Sequence, residues 1–407
     1  MKEISGGVCA PKGFRAGGVW CGIKASSTKK DLALIYSEKT CNCTAMYTTN
    51  RVKAASVLVS QINLAGGKCH GIIANSGNAN ACTGALGLQH AKAMAGFAAE
   101  QFVMSPSDFA VASTGVIGVP MPIARIEAAA ESLANSLRGD AAGHEAALEA
   151  IMTTDTKKKD GAIEIELDGK SVRLGAMVKG SGMIHPNMAT MLCFVTTDAA
   201  INKELLDKAL RNAVAKSFNR VSVDGDTSTN DMILVMANGQ AGNQSIESEN
   251  ADYAIFAEAL ESICVKLARA MAADGEGATK LLSVSVNGAA SESDAETLAK
   301  SVVYSSLVKC AIFGADANWG RVLCAMGYAG INFDPETVDV CFASKAGKIA
   351  VCKAGASHPF DEEDAKKILS EDEIEIGIDM KGGEGNCTVW GCDLTYDYVK
   401  INGDYRS

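Results

Sequence analysis

Along this chain, short runs in which apolar and polar side chains alternate are interleaved with longer stretches in which apolar residues recur every three or four positions. The first period is that of a strand and the second that of a helix, and their interleaving predicts a mixed α/β architecture. Leu32-Ala33-Leu34-Ile35-Tyr36 and Val57-Leu58-Val59 carry strand signals. A helix is predicted with Pro122 at its first turn, an apolar stripe of Ile123, Ile126, Ala130, Leu133 and Leu137, and Gly139 to cap its end. A hairpin follows: Ile163, Ile165 and Leu167 alternate with Glu164 and Glu166, Asp168-Gly169 turns, and Val172 and Leu174 return.

A second strong helix runs to Ala273 behind an Asn250 N-cap, with Phe256, Leu260, Ile263, Leu267 and Met271 as its stripe, and stops at Asp274-Gly275-Glu276-Gly277. Beyond Lys280 the pattern changes. Leu282, Val284 and Val286 alternate, Asn287-Gly288 turns, and Ser293-x-x-Glu296 offers a capping box to the next helix. A domain boundary is therefore placed near residue 280, giving an α/β core over 1–280 and a smaller α+β domain over 281–407. Ile374-Glu375-Ile376 and Cys387-Thr388-Val389-Trp390 are strand candidates in the second part.

Composition narrows the functional classes. The 407 residues are 47% hydrophobic and 21% charged, enough for sizeable cores. With 38 Lys and Arg against 48 Asp and Glu the net charge is −10, too acidic for unspecific binding to a nucleic-acid backbone. No stretch has the run of apolar residues that a membrane span needs, and the opening Met1 to Gly7 lacks the apolar core of a signal peptide, so a soluble, cytoplasmic protein is expected. The fourteen cysteines, scattered from Cys9 to Cys392, read as reduced and mostly buried small hydrophobes. Cys41-x-Cys43 and Cys387-x4-Cys392 do not have zinc-site spacing.

No phosphate-binding GxxxxGK[ST] occurs and no GxGxxG lies between a strand and a helix. No metal and no cofactor is expected. Asp224 to Asp231 resembles a calcium loop only at first sight, since Thr229 stands where glycine is required and Val235 where glutamate is required. It reads as an Asx- and Thr-rich turn, with a supporting role beside an active site left open. Lys157-Lys158-Lys159-Asp160 reads as a solvated face, and none of the five dispersed histidines stands out as a catalyst.

The most unusual segment is the glycine-rich approach KGSGMIHPNMATMLCF over Lys179 to Phe194. By composition alone, Thr190 at the start of an apolar strand is an ordinary structural residue. The segment, however, resembles the autoprocessing motif of the ornithine acetyltransferase (glutamate N-acetyltransferase, ArgJ) family. Asn75 to Gly84, Ser113 to Gly118, Thr153 to Thr156, Gly314 to Arg321 and Cys392 to Asn402 resemble the same family in the same order, so the likeness covers nearly the whole chain. Gly403 stands where alanine is common and Ser407 where threonine is common.

The resemblance implies a chain that cuts itself between Ala189 and Thr190, leaving fragments of 189 and 218 residues. Thr190 then becomes an N-terminal nucleophile whose own α-amine, of reference pKa about 7.7 to 8.0, is its base. It implies acetyl transfer from N-acetylornithine to glutamate in arginine biosynthesis through a Thr190 acetyl-enzyme, by ping-pong steps. Thr114 and Gly115 match the oxyanion-hole positions. Thr153, Lys179, Thr190, Glu276, Asn402 and Ser407 match substrate-binding positions, with Thr154 the alternative to Thr153. Lys179 would meet a carboxylate and Glu276 the ornithine amine. The implied fold is a layered sandwich of sheets flanked by helices, of the DmpA and ArgJ type. The implied assembly is an αβ heterodimer of the two fragments, dimerised to a heterotetramer. Whether acetyl-CoA is also a donor is open, and the rival reading is a self-processed N-terminal-nucleophile amidohydrolase or aminopeptidase.

Overall fold

The architecture was read from a computed structural model, which describes residues 1–24, 27–185 and 191–404. Among the described residues ten strands precede residue 280: β1 (Lys2–Ile4), β2 (Phe14–Val19), β3 (Leu32–Tyr47), β4 (Lys68–Asn78), β5 (Phe109–Val116), β6 (Lys159–Leu167), β7 (Lys170–Lys179), β8 (Leu192–Thr197), β9 (Val221–Ser222) and β10 (Met232–Ala237). All but β9 join one sheet, in the order β1-β6-β7-β8-β10-β3-β4-β5 with β2 also on β3. The link is β3. Its first residues pair with β2 and β4, its register on β4 shifts between Tyr36 and Cys41, and its last residues pair with β10.

That strand folds the sheet over on itself into two layers, as the side chains show. Ala33, Ile35, Ile72, Ala74, Ala110 and Ala112 from one half pack with Met177, Leu192, Phe194, Met232 and Leu234 from the other in a single inner core. The intervening residues face outward. Leu32, Leu34, Ile73, Phe109 and Val111 meet residues of the helices Ala55–Asn63, Gly84–Glu100 and Ile123–Asn135. Cys193, Val195, Ile233 and Val235 meet Lys203–Ala215 and Ala251–Ala273. Strands buried on both faces are apolar at nearly every position, which is why β8 and β10 show no polar alternation.

A second sheet is built from β11 (Leu281–Ala289), β12 (Asp339–Ser344), β13 (Gly347–Lys353), β14 (Ala356–Ser357), β15 (Glu373–Asp379) and β16 (Gly385–Cys392). It runs β14-β13-β12-β15-β11-β16-β9, so the two-residue β9 carries the first part of the chain across residue 280. Its core holds Leu282, Val284, Val286, Val340, Phe342, Ile374, Ile376 and Val389 together with residues of the helices Glu292–Tyr304 and Trp319–Gly327. The chain is thus a mixed α/β fold of sheets flanked by helices.

The hairpin forms where the alternation places it, with Asp168 at φ 50° and Gly169 at φ 66°. The helix Ala251–Ala273 starts at Asn250, whose side chain accepts the Tyr253 N–H, and its predicted stripe is buried throughout. At about 1.5–3 kcal/mol for each large apolar side chain, that stripe is what holds the helix in place. Four expectations change. Val57-Leu58-Val59 is helical, because Val57 and Val59 are buried with Ser60, whose hydroxyl exchanges two 2.7 Å hydrogen bonds with the Val111 backbone, while Leu58 and Ile62 turn to solvent. The helix begun at Pro122 ends at Asn135, capped by Ser136 rather than Gly139. Asn287-Gly288 is an irregularity inside β11, not a turn, with Gly288 at φ 70°. The next helix is capped by Ser291, which accepts the Asp294 N–H, two residues before the predicted box.

Candidate active site

Four strand ends converge at one rim of the double layer. Lys179 ends β7 opposite Leu192 at the start of β8. Beside it Asp231 precedes β10, which runs parallel to β8. From the other layer comes the end of β5, Thr114-Gly115-Val116, where β4 bulges so that Asn78 faces both Thr114 and Val116. Gly115 has φ 133°, and a Cβ there would lie 2.3 Å from the Gly77 carbonyl carbon, so only glycine fits. Between these ends lies a cleft lined by Thr114, Gly115, Thr153, Lys179, Glu276 and Asn402 among others. Six of the residues singled out by sequence therefore share one cavity. Thr154 lines it as well as Thr153. Ala189, Thr190 and Ser407 lie outside the described residues.

Lys179 is buried, and its Nζ donates to Thr114 Oγ1 at 3.3 Å. Since the ammonium occupies an acceptor site on that oxygen, the Thr114 hydroxyl hydrogen is left to donate elsewhere. Burial draws the Lys179 ammonium below its ordinary pKa, against the opposing field of Asp155. Burial alone would raise the Asp155 carboxyl. Lys179 and Lys159, with the Thr153 N–H, outweigh it and hold the group at about 2. The same carboxylate accepts the Gly180 N–H at 2.7 Å, tying the end of β7 to the Thr153 loop.

Behind this wall Lys159 bridges Asp155 and Asp274, all three side chains being at most 2% exposed. The expectation of a solvated Lys157 to Asp160 face is thus corrected at Lys159: it sits on β6, which the helix Ala251–Ala273 covers, and Asp274 at that helix's end reaches it. Removing one partner of a buried ion pair strands the others. Lys159→Met is expected to lower the unfolding free energy by about 3–5 kcal/mol in urea titrations. An unchanged midpoint would show that the two carboxylates do not depend on it.

Glu276 is held by its neighbours. Its N–H donates to Ser181 O at 3.0 Å, Ser181 Oγ donates to the Asp274 carbonyl, and Asn402 Nδ2 donates to Glu276 Oε2 at 2.9 Å. Gly182 leaves the space, since a Cβ there would stand 2.4 Å from the Glu276 carboxylate. Asn402 arrives on the helix Tyr396–Asp404, anchored through Thr395 Oγ1, which donates to Gly277 O. Opposite charges and a hydroxyl donor therefore meet in one partly enclosed space, an arrangement suited to a zwitterionic ligand and a developing oxyanion.

Sequence reasoning did not assign the loop Ser228-Thr229-Asn230, which also lines the cleft. Asn230 Nδ2 donates to both Ala79 O and Ser113 O at 2.7 Å, bracing the strand end that carries Thr114. Its signal was the Asx- and Thr-rich run without calcium spacing. Among the described residues no cluster of three His, Cys, Asp or Glu could hold a metal, and no helix is long and apolar enough to cross a membrane.

The family model described as the ArgJ family matches residues 15–407. The chain is 52% identical over 407 residues to the arginine biosynthesis bifunctional protein ArgJ of Caldanaerobacter subterraneus subsp. tengcongensis, covering 100% of each. It is 46% identical over 408 residues to the protein of the same name from Listeria monocytogenes, again covering 100% of each. A crystal structure of the arginine biosynthesis bifunctional protein argJ from Bacillus halodurans matches with 48% identity and a TM-score of 0.50, covering 52% of this chain and 98% of that one. Matched from near its first residue to its last, the chain belongs to the ArgJ family and is an acyltransferase enzyme.

Proposed function

We propose that this acyltransferase cuts its own chain between Ala189 and Thr190 and then uses Thr190 to carry an acetyl group from N-acetylornithine to glutamate. The observation that carries the reading is the pairing of charge in the cleft: buried Lys179 and Glu276 line the same space as Thr114 and Gly115. Both substrates present an α-carboxylate to a cation, and ornithine adds an amine for an anion. The solved Bacillus halodurans chain lends support to cleavage. It is matched over 98% of its length yet spans 52% of this chain, close to the share of residues 190–407, which number 218 of 407.

In the first half-reaction, Thr190 Oγ attacks the acetyl carbonyl of N-acetylornithine, the α-amine takes the hydroxyl proton, and ornithine leaves with that proton. Glutamate enters the emptied site and takes the acetyl group in the reverse sense. Each half passes through a tetrahedral oxyanion, for which the Thr114 hydroxyl and the Gly115 N–H are the proposed donors. Thr153, Asn402 and Ser407 complete substrate binding in this reading, and the two fragments stay together as αβ pairs that dimerise.

Incubation with N-acetylornithine and labelled glutamate tests the proposal. Labelled N-acetylglutamate is expected, whereas release of acetate in its place would assign a hydrolase or aminopeptidase to the same site. Because relatives are called bifunctional, acetyl-CoA with glutamate and no N-acetylornithine is the companion assay. Gly182→Ala should push the Glu276 carboxylate out of position and cost on the order of 100-fold in kcat/KM for N-acetylornithine. An unchanged value would detach Glu276 from the ornithine side chain.

A further inference from the structure

Asp231 is wholly buried, and the mechanism above gives it no work. Its Oδ1 accepts the Met191 N–H at 2.9 Å, while Oδ2, equally buried, has no hydrogen-bond partner among the described residues. An orphaned oxygen on a buried carboxyl is costly and marks a group kept for something other than stability. The backbone fixes its place: Asp231 O accepts the Thr48 N–H, and the next residue, Met232, donates its N–H to Met191 O, both at 3.0 Å.

The Met191 N–H belongs to the peptide group whose carbonyl is that of residue 190. Bond lengths alone put the residue 190 Cα about 2.4 Å from the Met191 nitrogen. The carboxyl that holds that nitrogen therefore sits one residue along the chain from the proposed nucleophile. The reaction has a gap at this point. In the uncut chain the nitrogen of Thr190 is an amide and cannot act as a base, so the α-amine that serves the mature enzyme is absent when the first bond is cut. Lys179 Nζ is engaged with Thr114 Oγ1. Among the described residues no donor meets the hydrogen-bond geometry at Asp231 Oδ2.

We propose that Asp231 is the base of the self-cleavage step, a role that rests on the reading of Thr190 as the nucleophile. The carboxylate takes the Thr190 Oγ proton as Oγ bonds to the Ala189 carbonyl carbon, then returns it to the Thr190 nitrogen as the C–N bond breaks. An ester on Oγ and a free amine result. Water then adds to the ester, the C–Oγ bond breaks, and Ala189 leaves as a carboxylate while Oγ regains a proton. Burial pushes the Asp231 carboxyl well above the usual range, against the Met191 N–H, the field of Lys179 and the nearby Thr48 hydroxyl, so that its ionised form holds a proton more strongly than an exposed carboxylate does.

The test follows cleavage of full-length chains by intact mass after a pulse of cell-free synthesis, for the native sequence, Asp231→Asn and Asp231→Glu. Asparagine keeps an acceptor for the Met191 N–H but cannot take a proton. Cleavage of Asp231→Asn is expected to slow by about 100-fold or more, the usual worth of a general base, and Asp231→Glu to recover at least about tenfold of it. Cleavage of Asp231→Asn within about threefold of the native rate would overturn the proposal, as would a glutamate variant no faster than the asparagine one, which would leave Asp231 a structural clamp. A native chain that stays whole would instead remove the underlying reading of Thr190.

Discussion

Thr190→Ala is expected to yield a single unbroken chain of 42.2 kDa with acetyl transfer lowered on the order of 10⁶-fold, the scale seen when a nucleophile is removed from a related kind of acyl-enzyme catalyst. Both effects have one cause. In the proposed mechanism the hydroxyl that opens the Ala189 peptide bond is the hydroxyl that later holds the acetyl group, and its loss also prevents the free α-amine from forming. Intact mass and the labelled-glutamate assay read the two effects separately. A Thr190→Ala protein that is cut between residues 189 and 190, or that still transfers acetyl groups at a tenth of the native rate, would end the assignment. Thr190→Ser should keep both functions, since serine supplies the same hydroxyl and amine.

Thr114→Val is expected to lower kcat by about 100- to 1000-fold with KM little changed, as loss of one oxyanion donor does. Valine matches threonine in shape, and Thr114 is buried at the end of β5, so the strand should hold its course. What disappears is the whole hydroxyl, both the oxygen that accepts from Lys179 Nζ and the hydrogen left free to point into the cleft. The interaction matters only as negative charge builds on the carbonyl oxygen, which is why the loss falls on kcat. Equal kcat for the two proteins would exclude Thr114 from the oxyanion site, and a rise in KM alone would make it a contact of the ground state.

Legibility in the sequence followed how far each signal depended on neighbours in the chain. The hairpin over β6 and β7 was readable because alternation and Asp168-Gly169 are local instructions, and the helix Ala251–Ala273 because a cap and a long stripe agree. Val57-Leu58-Val59 failed for the opposite reason: three apolar residues fit either period, and packing of Ser60 against Val111 settled the choice. Lys159 was misread because its partner Asp274 is 115 residues away. Asn230 went unassigned because the carbonyls it braces belong to Ala79 and Ser113.

By itself, then, the sequence determined the alternation of strands and helices, the acidic character of the chain and, through its likeness to one family, which residues are proposed for the site. Only the tertiary structure decided that Lys179 meets Thr114 across 65 residues and Asn402 meets Glu276 across 126, and that Asp231 holds the amide of Met191. The first meeting comes from the folding of one long sheet about β3 into two layers, the second from the helix Tyr396–Asp404 that follows the second sheet, and the third from the parallel pairing of β8 and β10. Such pairing is a matter of shared cores between distant strands, and no local pattern of residues encodes it.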